Sequence, residues 1–394
     1  MIIDQLPEIS SVQDTDEIPV ERGTTTYKSP LSKLWTRALA ALKATTAPVM
    51  DGTAAIGSAT KFALADHVHP SDTTRASVAD LATFPRPNLL YNWFFEGGGS
   101  QLGEGIFPIN QRGQTSYTGG GYTIDGWKAG YSADTVNVYS LSVRITVGSS
   151  TSAGFRFYQT LENGGALAGR TITASFRIYT VNGSYLRPAI SFRDADDNEI
   201  SLIGGETAPI EGMNTVSGTV PSNTSKIRIG FRSYSGVATG DYVSIRSAKL
   251  EVGDTQTLAY LKNGTRVMTE IPDFKTELLK CYRYFYRLNT NSTSSPDFLG
   301  VGFGRQGSSS TSIFFTFILP TTMRKNPTIS NAATALKYFT TETIANALTP
   351  TSVSGFYWAG NQRSVYLSAP NIVAGTPYGI ALAANSYIDF SAEI

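Results

Sequence analysis

From residue 88 onward, apolar and polar positions alternate in short runs broken by Gly, Asn, Asp and Ser, the period of half-buried strands. Residues Ser140 to Thr146, Gly154 to Gln159, Thr171 to Thr180, Ala189 to Arg193, Asn214 to Val220, Lys226 to Ser233 and Asp241 to Val252 read this way. The pattern predicts an antiparallel β-sandwich of jelly-roll type over 88–256. After Pro272 the period lengthens. Phe274, Leu278, Cys281, Tyr282 and Phe285 recur at three to four residues, which predicts a helix from Asp273 to about Arg287 inside a 257–290 linker. Strand-like runs then return at Gly300 to Arg305, Ser312 to Leu319, Gly355 to Trp358, Ser364 to Leu367 and Tyr387 to Ala392, so 291–394 is expected to form a C-terminal β-sandwich.

Upstream the pattern is thinner. Residues 1 to 28 alternate only briefly and carry too little apolar surface to fold alone, so they are expected to order against a partner or sister chains. Ser29 as N-cap, Pro30 in the first turn and Leu31, Leu34, Trp35, Leu39 and Leu42 at helical spacing predict one short amphipathic helix within 1–45. Residues 46–87, rich in Ala, Thr, Ser and Pro, read as a linker. The fold class is therefore mostly β.

Composition sharpens this picture in a few places. High Gly, Ser and Thr with 20 Tyr and 20 Phe suits strands and tight turns. Lys and Arg number 32 against 31 Asp and Glu, and no basic stripe appears along the sequence, which argues against nucleic acid as the main partner. One cysteine, Cys281, excludes an intrachain disulfide, and no thiolate cluster is present for zinc. The start, Met1 to Pro7, lacks a basic region followed by an apolar core, and no apolar run nears the ~20 residues of a membrane span. Neither export nor membrane insertion is expected.

Both histidines lie in Asp66-His67-Val68-His69-Pro70. In an extended segment they project to the same side. Two imidazoles rarely hold a transition metal, and a polar surface loop is the other reading of the spacing. Three parallel copies would offer an octahedral six-nitrogen shell, hence a trimer sharing one ion.

Asp51 to Gly57, Lys61-Phe62 and Ser71 to Ala76, around that pair, resemble a connector of tail fibre and receptor-binding proteins of tailed bacteriophages. The resemblance implies that His67 and His69 from three chains clamp an octahedral transition metal, an iron-like ion, in an elongated homotrimer. The acidic Leu-Pro opening, the Gly-Thr turn and the short helix resemble virion-anchoring ends, implying attachment of residues 1–45 to tail, baseplate or other virion proteins. Asn88-Leu89-Leu90-Tyr91-Asn92-Trp93-Phe94-Phe95-Glu96, then Trp127 and Ala248 to Thr255, resemble carbohydrate-binding modules of the galactose-binding-like group. Lys280 to Phe285, Pro320 to Thr328 and Asp389 to Glu393 resemble landmarks before and within the tip domain of phage tail proteins.

Catalytic chemistry finds little support in the residues. Gly302-x-Gly304-x-x-Gly307 matches a dinucleotide fingerprint, but strand-like residues follow it where a helix is required, so turn glycines are expected instead. Both imidazoles sit far along the chain from Cys281, and no Gly-x-Ser-x-Gly elbow occurs. Cys281 reads as a small core residue. The acidic run Asp194, Asp196, Asp197 and Glu199 reads first as a solvated hairpin turn, then as a calcium site, then as catalytic carboxylates. Glu96 matches a position that contributes to calcium in related modules, but Arg246 and Ser247 replace the usual acidic partner, which makes calcium doubtful.

Sugar recognition needs aromatic faces with polar side chains beside them. Trp127, Tyr131, Tyr117 and Tyr122 lie in a Gly-rich stretch, and Tyr357, Trp358, Asn361, Gln362 and Arg363 cluster around a turn. Each cluster is a candidate ligand site, or equally an interface or core rim. Trp93 and Phe95 are expected in the core. The combined expectation is a virion-borne tail fibre, made in the bacterial host cytoplasm, that binds host surface polysaccharide without catalysis. A head or collar fibre and a capsule-degrading enzyme are the alternatives.

Overall fold

The computed structural model describes residues 17–22, 24–30, 32–33, 36, 85–96, 107–150, 153–262, 264–290, 299–306, 312–330, 335–340, 347–359, 362–368, 372–373 and 376–393. The chain divides into two compact units, 1–83 and 84–394. In the first, Glu17–Arg22 and Thr25–Pro30 pair as an antiparallel hairpin, with Ser29 opposite Ile18 and Pro30 opposite Glu17. Ser29 is thus a strand residue rather than the expected helix N-cap. Helical backbone is described only at Ser32, Lys33 and Thr36, where the Thr36 hydroxyl donates to the Ser32 carbonyl at 2.7 Å.

The second unit is mostly β, as its alternation predicted. Two six-stranded antiparallel sheets form a sandwich. One runs Glu199–Gly204, Leu186–Arg193, Lys226–Ser233, Gly154–Leu161, Lys128–Ala129, Gly121–Tyr122; the other Gly212–Thr219, Thr171–Asn182, Tyr242–Val252, Ser142–Thr146, Thr135–Tyr139, Ser116–Thr118. Alternate residues of both, such as Phe157, Ile190, Ile229 and Phe231 against Val143, Phe176, Ile245 and Leu250, close one core. Trp93 and Phe95 join that core as expected.

Past the sandwich the helix is shorter than its spacing predicts. It spans Phe274–Tyr282, with Asp273 as N-cap accepting from the Thr276 amide at 2.8 Å. Phe285 to Asn289, although at helical spacing from Cys281, instead pairs with Tyr387–Ser391. Sheet pairing overrides local period here. A three-stranded sheet, Phe285–Asn289, Tyr387–Ser391, Thr328–Ser330, packs on a six-stranded one, Leu336–Thr340, Tyr378–Leu382, Leu299–Gln306, Ser312–Ile318, Gln362–Ser368, Ser352–Ala359. Ile388 and Phe390 of the first meet Ile313, Leu336 and Ile380 of the second in a separate core. Gly302 and Gly304 lie within a strand rather than in the turn expected, and a Cβ on Gly304 would come within 2.4 Å of the Ile313 side chain.

One polar residue ties the sandwich to the helix. Asn92, fully buried with φ of 49°, donates from its amide nitrogen to the carbonyls of Ile109 and Asp125 at 2.8 and 2.9 Å. Its side-chain oxygen accepts from the Ile109 amide at 2.7 Å, its own backbone amide donates to Glu277 at 2.8 Å, and its carbonyl accepts from the Trp127 indole at 2.9 Å. Removing the side chain strands buried partners that water cannot reach, at a cost of about 1–3 kcal/mol for an orphaned group. Asn92→Ala is expected to lose about 3 kcal/mol or more in denaturant unfolding, whereas an exposed substitution such as Tyr260→Ala stays within about 0.5 kcal/mol.

Candidate functional site

The outer face of the first sheet gathers charge and aromatic side chains from strands far apart in sequence. In Lys226–Ser233 the core takes Ile227, Ile229 and Phe231, so Lys226, Arg228, Gly230 and Arg232 point outward. In Leu186–Arg193 the same parity turns Arg187, Ala189, Ser191 and Arg193 outward. Register sets Arg228 opposite Ser191, Gly230 opposite Ala189 and Arg232 opposite Arg187. On the other flank Tyr158 faces Gly230, where a Cβ would come within 2.1 Å of the Phe157 carbonyl oxygen. A register shift at Phe231/Arg232 turns Arg156 inward, where it meets Asp134 at 2.9 Å, and leaves Phe155 opposite Arg232.

The guanidiniums are held over rings. Arg228 lies 4.4 Å from the Tyr158 centroid, Arg232 at 5.9 Å from both Phe155 and Tyr234, and Arg187 at 5.2 Å from Tyr185. Carboxylates interleave with them. Arg228 contacts Asp197 at 2.8 Å, Arg232 contacts Glu199 at 2.8 Å, and Glu199 also accepts from Ser191 at 2.9 Å. Burial, then the neighbouring Arg228, pulls the Arg193 guanidinium below its ordinary range. The Nε atoms of Arg193, Arg228 and Arg232 are buried with no acceptor. Donors therefore exceed acceptors on this face.

The acidic run forms the expected hairpin turn: Asp194 accepts from the Asn198 amide at 2.8 Å, and Asp197 adopts φ of 68°. It is not simply solvated, because Asp197 and Glu199 fold over the arginines. The absence of a basic stripe in the sequence is likewise corrected by the sheet, which assembles one from alternate residues of two strands. Glu96 contacts Arg177 at 2.6 Å and Arg246 at 3.3 Å, so guanidiniums surround its carboxylate. Among the described residues no group of three or more His, Cys, Asp or Glu side chains is arranged to hold a metal. Beside the basic face, at the free edges of both sheets, Pro188, Ile203, Met213 and Val216 line an open cleft of about 420 Å³.

The aromatic cluster expected near residue 127 does not form a platform. Trp127 is fully buried, its ring stacked on Phe157 at 4.9 Å, which makes it core and not a ligand-facing ring. Tyr117 is also buried, and burial pushes its hydroxyl up to about 12. Tyr131 is half-buried under the Arg156 guanidinium at 3.9 Å, and Tyr122 lies 5.5 Å from the Lys128 ammonium. In the C-terminal hairpin, Trp358 pairs with Arg363 and Tyr357 with Ser364. Asn361, His67 and His69 lie outside the described residues.

A second titratable cluster joins the sandwich to the C-terminal sheets. Arg112 lies 3.6 Å from Asp125, pairs with Glu393 and sits 3.8 Å from the Phe285 ring centroid. Cys281, fully buried, has its thiol pushed well above the ordinary value by burial.

No protein-family model matches the chain, and no curated protein matches it. Among solved structures it is similar to the enzymatically active domain of tailspike protein 4 from bacteriophage CBA120, at 19% identity and TM-score 0.24, over 40% of this chain and 21% of that one. It is also similar to a CBM22 xylan-binding domain from Paenibacillus barcinonensis Xyn10C, at 12% identity and TM-score 0.27, over 44% and 99%. A CBM4 structure gives 15% identity and TM-score 0.25, over 37% and 93%. The chain thus spans about a fifth of the tailspike domain's length.

Burial, opposed by Arg112, pushes the Asp125 carboxyl up to about 7. An acid raised in the folded state above its unfolded value near 4 gives stability that is complete below that value and is lost as pH rises toward 7. Melting temperature is therefore expected to drop between pH 5 and pH 8 by less in Asp125→Asn than in the unmodified protein. An identical drop in both would place the titration elsewhere.

Proposed function

We propose that this chain is a glycan-binding fibre protein of a tailed bacteriophage, attached to the virion through its N-terminal residues and recognising host surface polysaccharide through the unit that begins at residue 84. The observation that carries the glycan reading is the outer sheet face, where Arg193, Arg228 and Arg232 alternate with Asp197, Glu199 and Ser191 over Tyr158 and Phe155. Donors and acceptors interleaved on a rigid sheet match a polyhydroxyl ligand, whose every hydroxyl both donates and accepts. The connector motif around His67 and His69 supports the fibre placement.

Binding without turnover is the proposed mode. The carboxylates on the face are each held by a guanidinium, Asp197 by Arg228 and Glu199 by Arg232, both at 2.8 Å. Immobilised full-length protein is expected to retain a subset of bacterial surface polysaccharides and to release no new reducing ends from them over hours. Retention of none would remove the glycan reading. Release of reducing ends would move the protein to the capsule-degrading class.

The trimer and its metal form a second, separable part of the proposal. Neutral imidazoles of His67 and His69 would supply the ligands, and the ion would clamp the chains together. Native mass measurement is expected to give three chains, and elemental analysis about one transition metal per three chains, lost in His67→Ala. A stable monomer would sink both.

A further inference from the structure

The basic face has a charge pattern that narrows what kind of sugar it suits. Arg187, Arg193, Lys226, Arg228 and Arg232 share it with Asp197 and Glu199, and cations still lead when Asp194 and Asp196 of the adjoining turn are counted. The carboxylates present do not satisfy the guanidiniums, because the Nε of each of Arg193, Arg228 and Arg232 lacks an acceptor. Each of the three side chains keeps 14–17% of its surface accessible.

We infer that this face selects acidic glycans, polysaccharides with a carboxylate on a recurring sugar, with Arg193, Arg228 and Arg232 receiving the carboxylate. The inference rests on the glycan-binding reading and deepens it.

Three physical arguments favour this ligand. Guanidinium and carboxylate are matched fork to fork, and the pair forms charge-assisted bonds about twice as strong as neutral ones. The arginines are already ordered by Tyr158, Phe155, Tyr234 and the two carboxylates, so binding freezes few new rotamers. Finally, Asp197 and Glu199 can accept from sugar hydroxyls while repelling a second closely spaced anion. One negative charge per sugar or per few sugars fits that spacing, whereas a nucleic acid brings a phosphate at every residue.

Full-length protein should be titrated with polygalacturonate, alginate and hyaluronan, each beside its methyl-esterified counterpart, and with oligo-dT. At least one acidic polymer is expected to bind ten-fold or more tightly than its ester, with affinity falling as salt is raised. In Arg228→Gln/Arg232→Gln that preference is expected to fall at least ten-fold, with Arg228→Lys/Arg232→Lys in between because charge survives and the fork does not. Arg144→Gln, on the outer face of the other sheet, should change nothing. Equal affinity for acid and ester overturns acid selection and leaves the glycan reading standing. Binding of neither overturns acid selection, while retention of bacterial surface polysaccharides decides the glycan reading separately. Tighter binding of oligo-dT than of every polyuronate reassigns the face to nucleic acid. Should the glutamine variant fail to fold, the acid-against-ester comparison on the unmodified protein still decides.

Discussion

Asn92 is the constraint on which the second unit depends. A left-handed backbone at this position aims both the oxygen and the nitrogen of the side-chain amide into the interior, where the carbonyls of Ile109 and Asp125 and the amide of Ile109 have no water to turn to. The same residue's carbonyl orients the Trp127 indole, whose ring stacks on Phe157, and Phe157 is the chain neighbour of Tyr158 on the outer face. A buried hydrogen-bond knot thus reaches the candidate binding surface in a few contacts. Its other arm, the Asn92 amide on Glu277, fixes the helix that leads into the C-terminal sheets. Burying so many polar groups is tolerable only because each finds a partner.

The outer face follows a different logic, one of partial neutralisation. Arginines set side by side on neighbouring strands would repel one another and weaken the pairing of those strands. Asp197 and Glu199, brought over from the adjoining turn, relieve that repulsion without cancelling it, and the aromatic rings beneath take up the stems and planes of the guanidiniums. Lysine would fill this role poorly, since a point charge neither stacks on Tyr158 nor forks onto a carboxylate. The near-zero net charge of the chain conceals a locally basic surface, because charge summed over sequence carries no information about which faces the register brings together.

Much of the sandwich was legible in the sequence, since alternation survives wherever one strand face is buried. Lys226 to Ser233 was read to the residue, and the long strand ending at Val252 to within one. The Glu199–Gly204 and Gly212–Thr219 edges were harder: the first was missed, because an edge strand with few fully buried side chains carries a weak pattern. Sequence leaves Trp127 open between ligand platform and core rim because Gly-rich neighbours look like loop, while the stacking partner that buries it, Phe157, lies thirty residues on. The basic face escaped for a related reason. The alternation Arg228-x-Gly230-x-Arg232 was visible, but its pairing with Arg187 and Arg193 depends on two strands that are not consecutive in the chain. Periodicity gives the facing of a residue and not its neighbour.

An open sheet face has energetic consequences for a binding protein. Without deep enclosure a ligand keeps most of its hydration, so each contact nets little and single-site affinity stays modest. A charged rim of this kind raises the encounter rate more than the lifetime of the complex. Such a surface becomes effective when several copies engage one polymer, because the second and third contacts are then intramolecular and raise apparent affinity by ~10² to 10⁴ when the geometry permits. A repeating polysaccharide presents the same group again and again at fixed spacing, and the proposed trimer would present the same face three times. Weak, rigid and repeated contacts would suit the proposed glycan binding: each contact could release and re-form while the assembly as a whole stays bound.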